Sequence, residues 1–156
     1  MVVGEGGPQA GQAPLDDFAR STELKKLLTG VIAKGDVLGK DGSNLMITAT
    51  TSQDNDFCVA RASRGNGDPT VPVFMGGEIA EVTVAAGGAA TLHGALKIGG
   101  TAGQVTNQGA STNLSKVVGW CLGKFDPLNK TLLMTDGAAG DIILMLIAQW
   151  KPVTTA

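Results

Sequence analysis

Glycine placed at short, regular intervals constrains this chain more than any other feature. Of its 156 residues, 23 are Gly, about twice the usual share of about 7%. They fall in pairs and turn dipeptides: Asp41-Gly42, Gly76-Gly77, Gly87-Gly88, Gly99-Gly100 and Asp136-Gly137. Gly tolerates the left-handed backbone that tight turns need, and Asp or Asn beside it closes the turn with a side-chain hydrogen bond. Turn signals recur about every 8–12 residues, separated by short apolar runs, which is the pattern of a β-sandwich or small barrel. Long helices are excluded by the same spacing.

The segments between turns read as strands. Val31–Ala33 leading into Lys34–Gly39, then Leu45–Thr51, Phe57–Ala60, Val71–Met75, Glu78–Val84, Thr91–Ile98, Gln104–Thr106, Val117–Phe125 and Thr131–Thr135 are separated by turn chemistry. In Leu45–Thr51 the alternation puts Leu45, Ile47 and Ala49 on one face. Pro72 moves its strand towards a sheet edge. Gly119 and Gly123 inside Val117–Phe125 indicate a bulge or a close backbone approach. Asp141–Trp150 is the most apolar strand and belongs in the middle of the core or in an interface. A series from Gly35 to Ala60, closed by Val71–Met75, resembles a second series from Gly94 to Gly123, closed by Ile142–Ile147. Two related β modules, about 31–86 and 91–150, and independent use of the same hairpin grammar both account for it.

Residues 1–14 are Gly, Gln, Ala and Pro with little to bury, and read as a flexible arm. Leu15–Thr29 differs. Asp16 and Asp17 suit a helix start, Phe18, Leu24, Leu27 and Leu28 give an apolar stripe, and Gly30 is a stop. At most one short helix is expected there. The division is an arm, 1–29, followed by a β-rich domain, 30–156. The N-terminus has neither a basic start nor an apolar stretch of signal-peptide type, and Ile142–Ala148 is far short of the ~20 residues a spanning helix needs.

Catalytic groups are sparse. The chain has a single histidine, His93, read as a packed or hydrogen-bonded residue, and two cysteines, Cys58 and Cys121, read as buried thiols of a protein assembled in the cytoplasm. Scattered Cys58, His93 and Cys121 do not have metal-ligand spacing. Asp54-Asn55-Asp56 lacks the Gly and distal Glu of a calcium loop. Asp141 and Glu78 border apolar strands as edge guards. The GNGDP and GGTAG stretches lack the helix and the Lys-Ser or Lys-Thr of a phosphate loop. Twelve basic residues against 14 acidic, without a cluster, argue against a nucleic-acid binder. No enzyme activity, cofactor or metal is expected.

Lys34-Gly35-Asp36-Val37-Leu38-Gly39, then Phe57-Cys58-Val59-Ala60-Arg61-Ala62, then Val71–Glu78 ending in Gly-Gly-Glu, resemble the head-decoration, or capsid cement, proteins of tailed bacteriophages. Gly94–Ile98, Gln104–Thr106 and Lys116–Gly123 resemble their second module, with Ala95 departing from the Gly-Asp often found there. The likeness spans about 31–150. It implies a β-rich homotrimer on the outer surface of the virion capsid. There it would bind the major capsid protein, stabilise the head against the pressure of packaged DNA, and have no direct nucleic-acid or membrane partner. It also implies an N-terminal arm that adds backbone hydrogen bonds to a coat sheet, with Pro14, Leu15 and Phe18 as its apolar capsid-binding anchors. A virion-surface β module that binds a carbohydrate or host surface is the alternative, poorly supplied with aromatic platforms because Trp120 and Trp150 both lie in apolar strands.

Overall fold

The computed structural model describes the backbone of residues 23–25 and residues 30–43, 45–54, 56–110 and 113–149. The protein is mainly β, with a curled half-barrel sheet. One sheet contains β1 (Glu23–Lys25), β2 (Val37–Lys40), β3 (Met46–Thr48), β4 (Cys58–Ala60) and β5 (Thr70–Phe74), in the order β1-β5-β4-β2-β3. The other contains β6 (Ile79–Thr83), β8 (Ala95–Ile98), β9 (Val105–Asn107), β10 (Gly119–Asp126) and β13 (Ile142–Ile147), in the order β6-β13-β10-β8-β9. A further strand, β11 (Thr131–Leu133), pairs with the far end of β10, and β7 (Ala89–Ala90) pairs with β12 (Gly137–Ala138). Every strand pairing is antiparallel.

The two orders are the same order. In each sheet a hairpin comes first (β2–β3, β8–β9), a third strand joins its first member (β4, β10), a fourth joins the third (β5, β13), and a strand from before the hairpin covers the outside (β1, β6). The chain passes from one sheet to the other at Gly76-Gly77, so Ile79–Thr83, grouped by sequence with the first module, lies in the second sheet beside β13.

Turn chemistry sets the hairpins. Asp41 Oδ1 accepts from the N–H groups of Ser43 and Leu45, both at 2.8 Å, and closes the β2–β3 turn. Sheet curvature has two sources. The β10–β13 register shifts between Cys121 and Gly123, an extra residue that bends and twists its strand. At the open side, Val84 bridges Val105, and Ala85 N–H donates to the Val105 carbonyl at 2.8 Å, which draws the β6 and β9 edges of the sheet together.

Inward side chains of both sheets form one core. Val37, Phe57 and Val59 from the first pack with Val82, Leu96, Ile143, Met145 and Ile147 from the second. A smaller cluster of Ile32, Leu38, Met46, Cys58, Val71 and Val73 lies on the other face of the first sheet. Each fully buried Ile or Leu contributes about 1.5–3 kcal/mol of transfer free energy.

Three expectations are corrected. Glu23–Lys25, placed by sequence in a short helix, is a strand on β5; the rest of Leu15–Thr29 lies outside the described residues. Among the described residues the helical structure is a single 3-10 turn, Leu114–Lys116. At β3 both faces are used: Met46 is buried in the smaller cluster, and Ala49, just past the strand on the face shared with Leu45 and Ile47, is buried in the main core. β5 is not at an edge: β1 covers it, and Pro72, with no N–H to offer, pairs towards β4 by accepting from Arg61 N–H at 2.9 Å. Finally, Asp136-Gly137 is not a turn of its own, since Gly137 begins β12.

Gly119 is one of two glycines of β10, with Gly123, where strand contact is tightest. A Cβ on Gly119 would strike the Leu146 carbonyl and lie 2.6 Å from Met145 Cγ. Gly119→Ala is therefore expected to destabilise the protein by about 1–3 kcal/mol, the cost of overpacking a filled core. Gly65→Ala, with no atom within 4 Å of its added Cβ, should change stability by about 0.5 kcal/mol or less. Urea denaturation of both variants checks the contrast.

Candidate functional site

The outward face of the second sheet is apolar where a free β domain is ordinarily polar. Register puts Ile79 opposite Leu146, Leu146 opposite Trp120, and Trp120 opposite Ala95, so these four form a row across β6, β13, β10 and β8. Ile79 is 51% and Trp120 41% exposed. Ile142 and Leu144 continue the apolar surface along β13 and remain half-buried.

Next to that face stands the β10–β11 hairpin, the most exposed apolar feature among the described residues. Its turn is fixed by Asp126. Oδ1 accepts from Leu128 N–H at 2.9 Å and Asn129 N–H at 3.3 Å, and Oδ2 accepts from Asn129 Nδ2 at 2.7 Å. The Asn129 side chain, foremost, and these backbone N–H groups hold the Asp126 carboxyl below its usual range. The turn that results presents Leu128 to solvent, 92% exposed. Leu132, Leu133 and Met134 follow, all exposed, Met134 by 59%. At the base Lys124 Nζ pairs with Asp141 Oδ2 at 3.2 Å, and Asp141 also accepts from Ala138 N–H at 2.9 Å. Those two contacts, the backbone bond foremost, lower the Asp141 carboxyl. Asp141 thus closes a turn, as does Glu78, whose Oε2 accepts from Met75 N–H at 3.2 Å. Neither stands guard at an open strand edge, the role their positions beside apolar runs had indicated.

The chemistry-bearing residues are dispersed. His93, expected inside a strand, lies exposed in a turn with φ +62°, its N–H donating to the Cys121 carbonyl at 2.7 Å. Asp54 and Asp56 point to different cations: Lys116 Nζ is 2.9 Å from Asp54, and Lys40 Nζ is 2.7 Å from Asp56. Lys116 also donates to the Thr51 and Gln53 carbonyls, at 3.0 and 3.1 Å, so it ties the 51–54 loop of one sheet to the other. Asp36 is the carboxylate most affected by burial, which raises it, while hydrogen bonds from Ala33 N–H and Thr48 act the other way. Among the described residues no three His, Cys, Asp or Glu side chains gather at a spacing that would hold a metal ion, and no helix is long and apolar enough to cross a membrane.

Cys58 and Cys121 are both buried and both free, one in each sheet. Burial pushes the Cys58 thiol up to about 12 and raises that of Cys121. A thiol attacks as its thiolate, so neither is expected to react with a disulfide reagent in the native protein at neutral pH. Both should react on unfolding in denaturant. A native-state stoichiometry of one or more would contradict the burial.

Sequence reasoning placed its site residues at Pro14, Leu15 and Phe18, which lie outside the described residues, as does Trp150. It missed the hairpin surface. The available signal was Leu132-Leu133-Met134, three apolar residues in a row separated by two residues from the Asp-Pro-Leu-Asn turn, where alternation would have buried only every second one. Comparison with protein-family models, with curated proteins and with solved structures finds no match to the chain.

Proposed function

We propose that this protein is a structural module of a virus particle, a capsid decoration protein that binds the outside of an assembled phage head and works as a homotrimer. The observation that carries the reading is the apolar β10–β11 hairpin, held out by the Asp126 turn at the end of β10. Contiguous exposed apolar surface of this kind marks a protein-contact site. The dispersal of titratable groups gives the same surface no partner chemistry for a reaction. The resemblance of the Lys34–Gly39, Phe57–Ala62 and Val71–Glu78 segments to capsid cement proteins supplies the kind of partner, a coat protein. The hairpin serves contact between copies, and the N-terminal residues, with Pro14, Leu15 and Phe18 as anchors, serve contact with the shell. Three arms on one trimer bind multivalently, so modest contacts sum to firm attachment. A carbohydrate-binding role has less support, because Trp120 contributes to a broad apolar row instead of a ring platform flanked by polar groups.

Light scattering on the eluting protein should give the mass of three chains. Leu128→Asp combined with Met134→Asp puts two charges into the contact, and both positions are exposed, so the fold has no reason to change. The expected result is a monomer with an unaltered melting temperature. A wild-type monomer at micromolar concentration, or a variant that remains trimeric, would remove the hairpin from the contact.

Removing residues 1–14 is expected to leave the melting temperature of the free protein unchanged and to weaken sedimentation with empty capsids. Equal co-sedimentation of truncated and full-length chains would show that the arm is not the attachment.

A further inference from the structure

The loop that leads into β5 lies apart from the apolar surface and carries chemistry of its own. Arg64 bridges Ile32 through paired backbone bonds, Arg64 N–H to the Ile32 carbonyl at 2.8 Å and Ile32 N–H to the Arg64 carbonyl at 2.9 Å. β5 begins at Thr70. Between these two anchors every residue from Gly65 to Pro69 is exposed, with Asn66 and Gly67 at the bend of the turn. Gly65 N–H donates to Asp68 Oδ2 at 3.0 Å across it.

Asn is a thermolabile side chain, and its neighbour decides how labile. The backbone nitrogen of the next residue can close a five-membered ring on the Asn amide carbon, and a side chain on that residue crowds the approach. Of the six Asn in the chain, Asn66 alone precedes Gly. Gly67 has φ +87°, a Cβ built on it would meet nothing within 4 Å, and among the described residues no acceptor holds its N–H. The attacking atom is therefore uncommitted, the residue that bears it is the least hindered type, and the surroundings leave the turn room to open, as exposed loop tips do.

We infer that Asn66 is a site of spontaneous deamidation in the native protein. The Gly67 backbone nitrogen gives its proton to solvent base and attacks Asn66 Cγ. The N–Cγ bond forms, the Cγ–Nδ2 bond breaks, and ammonia leaves with a proton taken from water. Water then adds to one of the two carbonyls of the resulting succinimide and opens it. Opening at one carbonyl leaves aspartate; opening at the other leaves isoaspartate, whose main chain runs through the former side chain and is one carbon longer. In sum an amide and a water become an acid and ammonia, with no oxidant or reductant. Arg64 and Asp68 balance in this loop, so the new carboxylate makes it net negative. The added carbon falls just ahead of Thr70, the residue that Lys25 of β1 faces. The site rests on the loop alone and not on the capsid reading. On a particle, where no fresh copy replaces the protein, the converted fraction would record the particle's age.

The test holds the full native chain in mildly alkaline buffer and samples it over days. Trypsin cuts after Arg64 and next after Lys97, and Asn66 is the only amide side chain in Gly65–Lys97, so an amide-to-acid gain in mass of that peptide belongs to Asn66. The gain should appear at least about tenfold faster than in the peptides that carry Asn107 and Asn129, a ratio equal to a barrier lower by about 1.4 kcal/mol. Labelling of the same peptide by an isoaspartyl methyltransferase should rise with it. Asn66→Gln should abolish both signals in that peptide, because the longer side chain must close a six-membered ring, and should leave the melting temperature unchanged. A Gly65–Lys97 peptide that stays intact in the native chain and converts in a denatured one overturns the proposal, as does conversion no faster than at Asn107 and Asn129.

Discussion

Over the shared core, the backbone of one glycine ties the two sheets directly to each other. Gly103 belongs to the β8–β9 turn of the second sheet, yet its carbonyl accepts from Val37 N–H at 2.9 Å and its N–H donates to the Ala49 carbonyl at 2.8 Å, both in the first. Its φ of +75° and the 2.8 Å from a hypothetical Cβ to Thr48 Cγ2 explain why no other residue fits. Backbone groups buried at a junction must be paired or the junction costs free energy, and this pair does so on both sides. Val37 and Ala49 are fully buried beside it, so the polar joint and the apolar core meet at the same point. Lys116, reaching the Thr51 and Gln53 carbonyls, adds a second polar tie at the rim.

A frame tied in this way is suited to presenting a surface. The β10–β11 hairpin continues a strand that is held along Gly119–Lys124 by β13 and at its other end by β8. Asp126 and the Lys124–Asp141 pair fix its base and tip, so Leu128, Leu132, Leu133 and Met134 lose little further freedom when covered. Pre-ordering of this kind reduces the entropy lost on association. Exposed apolar side chains on a floppy loop would carry that cost and would also invite non-specific sticking.

Local chemistry was the legible part of the sequence. Asp41-Gly42 and Asp126–Asn129 are turns because their side chains bond neighbouring backbone, which needs no knowledge of the rest of the chain. The alternation of β6 and the central place of β13 were legible for the same reason, since burial on one face or on both shows in a few consecutive residues. What depended on distant partners was not. That Met46, on the face opposite Leu45, Ile47 and Ala49, is buried too follows only from the position of the smaller cluster. Glu23–Lys25 sits in a stretch with helical spacing, and pairing with Thr70–Pro72, almost fifty residues away, overrides it. His93 adopts positive φ because its N–H is drawn to the Cys121 carbonyl across the β8–β10 corner, a contact no local signal announces. Of the candidate surface, the turn was legible and the exposure was not, because exposure is a statement about what fails to pack on a segment.

The shared strand order of the two sheets has a consequence for how the chain folds. Neither sheet covers its share of the main core by itself. Residues 30–74 alone would leave Val37, Phe57 and Val59 open to water, and residues 79–147 alone would expose the inner row of Ile143, Met145 and Ile147. Each half needs the other as a dimer subunit needs its mate, but here the mate is attached through Gly76-Gly77. Covalent linkage replaces a concentration-dependent encounter with a fixed local concentration, of millimolar order for a short flexible joint. The assembly therefore keeps its folded state on dilution, where an unlinked pair of such sheets would come apart.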